Sequence, residues 1–423
     1  MGLHFLSLSQ YYVSILFSRA RPKFSSNPCH GSRDSSRSSL STLRPEPIKP
    51  RTTPFAKPEG RSQIAEKALT RAEIDATARI IEHFQKEDLI DDEKFWLTKE
   101  CVLRYYHASK TDITQAISRI SKTLAWRKEV GIYSITAEEI CTKAQTGKQV
   151  LLGFDYARRP VLYLYPGREN TSFSPRQSKY FVWSLERCIE LMPLGVDTLV
   201  ICINYKSTTS ITSSSFTQSR EVIHILQNHY VERLGKGIII NMPWFVTAFF
   251  KLICPFLDPK IRQSLIFNEN LRNHIPSHQL DSEFDGGLHF DYVHTEYWPC
   301  LLNITQLRSD GMRRRWREYG ACVGISEWDL KDGLEEEVDL KLENEVHDIF
   351  LFEQATKDSE QTERPGTKYQ DSIHQEAVET AIPTIVNKGH VCVVTEETEN
   401  RDSKVLQSAM SDTASFVTAA EKH

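Results

Sequence analysis

Residues 242–267 read MPWFVTAFFKLICPFLDPKIRQSLIF, and from Trp244 to Leu257 one charge, Lys251, stands among residues that are nearly all apolar or aromatic. A helix of that composition is greasy almost all round and lacks the wet face of an ordinary surface helix. At about 1.5 Å per residue it reaches roughly 20 Å, short of a bilayer core of about 30 Å. Pro255 and Pro259 then stop it. Such a segment is either a central core helix or one that is covered at one moment and shown to something oily at another.

The sequence around it alternates. Ile113, Ala116, Ile117, Ile120 and Leu124 recur at helical spacing, opened by Asp112 as N-cap and closed by Gly131. VLLGF (150–154) and PVLYLYP (160–166) are strand-like runs separated by a turn at 155–159. A helix follows with Ser174 as cap, Pro175 in its first turn, and Phe181, Leu185, Cys188, Ile189 and Met192 on one face. TLVICINY (198–205) reads as a buried strand, then a helix carries Phe216, Val222, Ile223, Leu226 and Tyr230 on one side. GIIINMP (237–243) is another buried strand, and QSLIFN closes the set after the greasy helix. Strands alternating with crossover helices predict an α/β domain built on a largely parallel sheet.

Net charge is −4, so the global balance gives no argument for nucleic acid. The nine cysteines form no C-x-x-C pair, which leaves no zinc knuckle or dithiol site and fits a reducing compartment. No G-x-S-x-G, P-loop or G-x-G-x-x-G element occurs. His274 and His278 are four apart, but Pro276 breaks the helix that would aim both at one metal. The expectation is therefore a protein with no catalytic constellation, no metal and no cofactor. Residues 1–33 hold Arg19, Arg21, Lys23 and Arg33 and no acid. Their apolar stretch lacks a positive lead, which argues against a secretory signal. An organelle signal or membrane anchor stays open there beside an unstructured lead-in.

In order along the chain stand CVLRYYHASKTDITQAISRISKTLAWRKEVGI, RRPVLYLYPG, LVICINYKS, YVERLGKGIIINMPWFVTAFFKLICPFLDPKIRQSLIF and HIPSHQLDSEFDGGL. This series resembles the CRAL-TRIO family of lipid-transfer proteins, and within it the fungal-type phosphatidylinositol-transfer proteins. The resemblance spans about residues 99–299. It implies a helical N-terminal subdomain followed by an α/β pocket, a mostly parallel sheet flanked by helices, that holds one lipid behind a hydrophobic gating helix. By that resemblance the gate is the greasy segment, with Trp244, Phe245, Phe249, Phe250, Ile253 and Phe256 as its contact residues.

The head-group positions follow the same resemblance and depart from it. Glu232 matches the family's acidic residue, and Lys110 keeps the cation of an early R-A-R-K element that here reads His107-Ala108-Ser109-Lys110. Phosphatidylinositol readers carry D-P-x-T-x-x-K; this chain reads Asp258-Pro259-Lys260-Ile261-Arg262-Gln263-Ser264, with Ile261 for the hydroxyl and Ser264 for the ammonium. Each lost charge-assisted hydrogen bond is worth roughly 1.5–3 kcal/mol. If 261–264 run as a strand, Arg262 points away from its neighbours and cannot replace the cation. Phosphatidylcholine readers place Ser and Thr where this chain has Leu199 and Ile201, and Asn204-Tyr205-Lys206-Ser207 stands at the following turn. Hydroxyls of Tyr163, Tyr165 or Ser207 are the candidates to replace those lost.

Glu232 and Lys110 favour phosphatidylinositol; the apolar substitutions favour a sterol or another less polar lipid. The resemblance implies a non-enzymatic cytoplasmic carrier that meets membranes peripherally and transiently. The alternative is a lipid-sensing scaffold that acts through a protein partner reached by the flanking tails. The run Arg313, Arg314, Arg315 and Arg317 around Trp316 reads either as an anionic-membrane contact or as a solvated helix face. The expected organisation is a disordered Ser/Pro/Arg-rich lead-in (1–65), a helical subdomain (66–131), the lipid domain (132–299), a charged helical extension (300–357) and a disordered acidic tail (358–423).

Overall fold

The computed structural model describes residues 50–59, 64–170, 176–209 and 216–344. Helices α1 (Arg71–Gln85), α2 (Asp91–Trp96), α3 (Lys99–Ala108) and α4 (Ile113–Val130) form the expected helical subdomain. Their starts are written locally: Thr70 and Glu73 make a reciprocal capping box on α1, and Thr98 and Asp112 cap α3 and α4. Gly131 ends α4 at φ 72°, a conformation glycine enters without a Cβ clash. Ile80, Phe84, Leu97, Val102, Tyr105 and Ile120 fill the space between these helices.

After α5 (Ala137–Ala144) come β1 (Gln149–Phe154) and β2 (Pro160–Leu164), then α6 (Arg176–Leu191), β3 (Leu199–Asn204), α7 (Phe216–Asn228) and β4 (Leu234–Ile240). The greasy segment forms α8 (Trp244–Ile253), and α9 (Pro259–Ser264) leads into β5 (Leu265–Phe267). The strands lie in chain order, β1–β2 antiparallel and the other three pairs parallel. The hairpin turn is closed by Asp155, whose Oδ1 accepts from the Ala157 and Arg159 amides at 2.9 Å. Ser174 and Pro175, expected to open α6, lie outside the described residues, as do the side chains of Phe216 and Phe256.

Structure crosses two of the expected boundaries. Helix α10 (His294–Glu318) runs straight through residue 299. Its Tyr297 is 1 % exposed; the hydroxyl accepts from the Leu151 amide (2.8 Å) and donates to the Leu151 carbonyl (2.9 Å). The lead-in does not reach 65 as free chain. Arg51 bridges Phe290, Phe55 packs on the main core, and Lys57 pairs with Asp339. Residues 1–49 and 345–423 lie outside the described residues.

Short helix α11 (Glu327–Lys331) ties these parts together. Glu327 faces Arg104 of α3 (3.2 Å), Arg233 before β4 (3.0 Å) and Lys331 (3.0 Å). Burial alone would raise its carboxyl, but Arg233, Lys331 and Arg104 hold it well below the usual carboxylate range. A second buried pair, Arg127 of α4 with Glu186 of α6 (2.9 and 3.1 Å), joins the helical subdomain to the sheet domain.

The basic run on α10 is split: Arg314 and Arg317 are exposed, Arg313 and Arg315 are partly covered, and Trp316 is buried. Trp316 is 3 % exposed, with its indole N–H on the Cys322 carbonyl. Arg313 pairs with Asp92, and Arg314 and Arg315 pair with Glu337. Asp92 and Glu337 are remote in sequence, and Glu318, one turn on, also faces Arg314.

Candidate functional site

In a parallel sheet, paired residues share a face and successive residues alternate. Register pairs Leu162 with Ile201 and Tyr163 with Cys202, so Tyr163 and Ile201 lie on opposite faces. Leu199, Ile201 and Ile203 share their face with Leu162, Leu164 and Ile239. Helix α8 packs down on this face: Val246, Phe250 and Ile253 cluster with Tyr205 and Ile239, joined by Ile203, Phe245, Phe249, Ile261 and Leu265. Leu199 and Ile201 are 0 % and 3 % exposed and offer no hydrogen-bonding group.

The other side of α8 is also apolar and is bare. Trp244 is 81 % exposed and Leu252 60 % exposed, and with the exposed Ala248 between them they recur at four-residue spacing along one stripe. Lys251 stands beside that stripe, exposed. Sequence shows that the helix is greasy all round; only the structure assigns the two sides.

Tyr163 and Tyr165 belong to the far face. Each stacks on Phe284, at 5.6 and 6.4 Å between ring centroids. Burial pushes both phenols well above their ordinary pKa. They do not stand beside Leu199 and Ile201, and the Tyr163 hydroxyl has no hydrogen-bond partner among the described residues. Ser207 is exposed in the turn after β3, at φ 61°. None of the three replaces a hydroxyl on the α8 face.

Three of the four positions expected to meet a head group, Glu232, Ile261 and Ser264, lie at the N-terminal ends of β4 and β5. Residues 259–264 are helix rather than strand: Asp258 caps it by accepting from the Lys260 amide (2.8 Å), and Pro259 occupies the first turn. Ile261 turns inward onto the apolar clusters, and Ser264 donates to the Lys260 carbonyl (3.0 Å) and faces the Leu234 carbonyl (3.4 Å). One turn before Ser264, Lys260 pairs with Glu232. Glu232 itself sits at φ 58°, in the left-handed region. Lys260 was missed in the sequence, yet Asp-Pro is a helix-opening signal that places 260 and 264 on one face.

Lys110 sits at φ 53° in the turn between α3 and α4, and that turn is joined to the loop that carries Glu232. Arg119 of α4 donates to the Ala108 carbonyl (2.7 Å) and to the Gln227 carbonyl (3.2 Å). Tyr105 donates to the His229 carbonyl (3.2 Å), and Thr123 to the Asn228 carbonyl (3.1 Å). The His229 ring stacks on Trp126 at 3.9 Å; burial, then the charges of His224 and Arg127, push it down to about 3. The helical subdomain thus holds the linker that carries Glu232.

The family model of the CRAL/TRIO domain matches residues 144–286, and that of the CRAL/TRIO N-terminal domain matches residues 78–122. Phosphatidylinositol transfer protein PDR17 of Saccharomyces cerevisiae is 39 % identical over 264 residues, covering 59 % of this chain and 75 % of that protein. The chain belongs to the CRAL/TRIO family. A CRAL-TRIO domain-containing protein of Schizosaccharomyces pombe is 43 % identical over 342 residues, 78 % of this chain; the match spans only 34 % of that relative's length. SEC14 cytosolic factor of Candida glabrata is 30 % identical over 216 residues, 45 % of this chain and 71 % of that protein. The matched regions coincide with the helical subdomain and the sheet domain described above.

Proposed function

We propose that this chain is a non-enzymatic lipid-binding and transfer protein. It holds one lipid, phosphatidylinositol or a less polar lipid such as a sterol, between the apolar sheet face and α8. It exchanges that lipid during transient, peripheral contact with a cytoplasmic membrane surface. The observation that carries this reading is α8 itself. Its inward side, Val246, Phe250 and Ile253, packs against Ile203, Tyr205 and Ile239, while its outward side offers Trp244 and Leu252 to whatever lies outside. Burying a leucine-sized side chain recovers roughly 1.5–3 kcal/mol, so contact with hydrocarbon favours docking at the stripe. Tryptophan suits the interface between lipid and water. No described helix is long and apolar enough to cross a membrane.

The resemblance to phosphatidylinositol transfer protein PDR17 and SEC14 cytosolic factor supports the same reading. The test is movement of fluorescent phosphatidylinositol and of a fluorescent sterol between donor and acceptor liposomes. The reading requires catalytic transfer of at least one of them. Binding of labelled lipid without transfer would make the protein a sensor instead, and no binding of either would end the lipid reading.

A further inference from the structure

On the carrier reading, α8 leaves the sheet for a lipid to pass, so whatever holds its N-terminal joint decides how often it opens. The side chains of α8 meet the sheet through the apolar cluster of Val246, Phe250 and Ile253 with Tyr205 and Ile239. Such contacts have no preferred direction, and hydrocarbon offers equivalent ones when the helix opens at a membrane. The joint itself is polar. β4 ends at Ile240 and α8 begins at Trp244. Asn241 turns the chain between them at φ 54°, a left-handed conformation that asparagine tolerates better than most residues. Its Nδ2 donates to Oδ1 of Asn204, the last residue of β3, at 2.8 Å. The same oxygen accepts from the Lys206 amide at 2.9 Å. A backbone N–H only donates, so the orientation of the Asn204 carboxamide is fixed. Asn204 is 1 % exposed, and the Tyr205 amide adds a main-chain bond to the Ile240 carbonyl at 3.1 Å.

We infer that Asn204 and Asn241 are positioning residues of the lipid-exchange step, and that their carboxamide bond is the latch of α8. The bond is short and directional, so it forms only when the joint lies against the end of β3. When the joint swings away, the exposed Asn241 side chain bonds water, and Oδ1 of Asn204 keeps one of its two donors. The turn that carries Asn204 also places Tyr205 beneath α8, so the polar catch and the apolar seat of the helix are adjacent residues. Apolar packing covers the inward side of the helix, and the amide bond fixes where its first turn starts. This inference rests on the carrier reading, and its test separates the two.

The experiment compares the full chain with Asn241→Gly and Asn241→Asp. Glycine removes the donor and holds the φ of 54° without strain. Aspartate keeps the size and the left-handed tolerance but turns an acceptor toward the Asn204 oxygen. The measurements are amide hydrogen exchange of peptides covering α8 and β4, the thermal melt, and release of bound fluorescent phosphatidylinositol or fluorescent sterol to acceptor liposomes. In the parent, α8 is expected to take up deuterium faster than β4. In both variants α8 uptake and lipid release rise about fivefold, the equivalent of one ordinary hydrogen bond, while β4 stays at the parent rate. Unchanged α8 uptake in both variants overturns the latch. So does a rise confined to one variant, because the bond is lost in both. An equal rise across β4 with a much lower melt would make the bond structural and overturn the proposal too. If α8 and β4 take up deuterium alike in the parent, the helix has no opening of its own and the proposal falls whatever the variants do. A parent that binds and transfers neither lipid overturns the carrier reading, while the deuterium uptake still judges the latch.

Discussion

Glu327→Gln removes the one carboxylate that three buried cations share. The side chain is 12 % exposed, and Arg104, Arg233 and Lys331 are 7 %, 10 % and 4 % exposed, at 3.2, 3.0 and 3.0 Å. Breaking a buried pair by removing one partner typically costs about 3–5 kcal/mol, because the remaining charge is left desolvated. Lys331, whose pKa burial already lowers, can shed its proton and recover part of that cost, whereas the two arginines cannot. For a folded body of this size each kcal/mol shifts the melting temperature by about 2–4 °C, so the loss is about 6–20 °C. The assay is a calorimetric or dichroism melt at pH 7, with Glu82→Gln as control. Glu82 pairs with Lys86 in the open, where solvent screening leaves such a pair little effect on stability.

The pH dependence has a definite sign. The folded pKa of Glu327 lies below its unfolded value, so its stabilisation is complete above the ordinary carboxylate pKa of about 4.3. It is lost as pH falls below that value through the depressed folded pKa, and the gap between parent and Glu327→Gln narrows on acidification. A variant that melts within a degree of the parent at pH 7, or a gap that widens in acid, refutes the reasoning.

Trp244→Ser with Leu252→Ser removes the outward stripe of α8 and should leave the melt near the parent while lowering liposome transfer at least several-fold. Phe250→Ala, on the inward side, should cost about 3–5 kcal/mol of stability; equal melts for the two would mean that the sides are misassigned. Ile261→Thr with Ser264→Lys adds a hydroxyl and a second ammonium one turn from Lys260, and should raise phosphatidylinositol transfer. Flat transfer in a folded protein would refute the head-group assignment. Neutralising Arg313, Arg314 and Arg315 should not change co-sedimentation with anionic liposomes, because Asp92 and Glu337 already pair with them; a clear drop would restore that face as a docking site.

Local signals were legible. Asp112 and Gly131 bound α4 as the caps predict, and the apolar runs at 150–154, 160–166 and 198–205 became strands of the expected mostly parallel sheet. What sequence alone could not give depends on register or on distant partners. Whether Tyr163 shares a face with Ile201 is decided by a one-residue offset between β2 and β3, which alternation within each strand leaves free. The burial of Trp316 and the pairing of its arginines depend on residues 92, 322 and 337. The anchoring of residues 50–59 depends on partners near 290 and 339. Lys260 is a different kind of case: the Asp258-Pro259 signal is present, but reading 261–264 as strand hides the face that 260 and 264 share.

Mass spectrometry of the lipids extracted from the purified full chain tests the central claim most directly. The account predicts about one lipid per protein, drawn from phosphatidylinositol and sterols. A chain that carries no lipid when purified and takes none up from liposomes would contradict it.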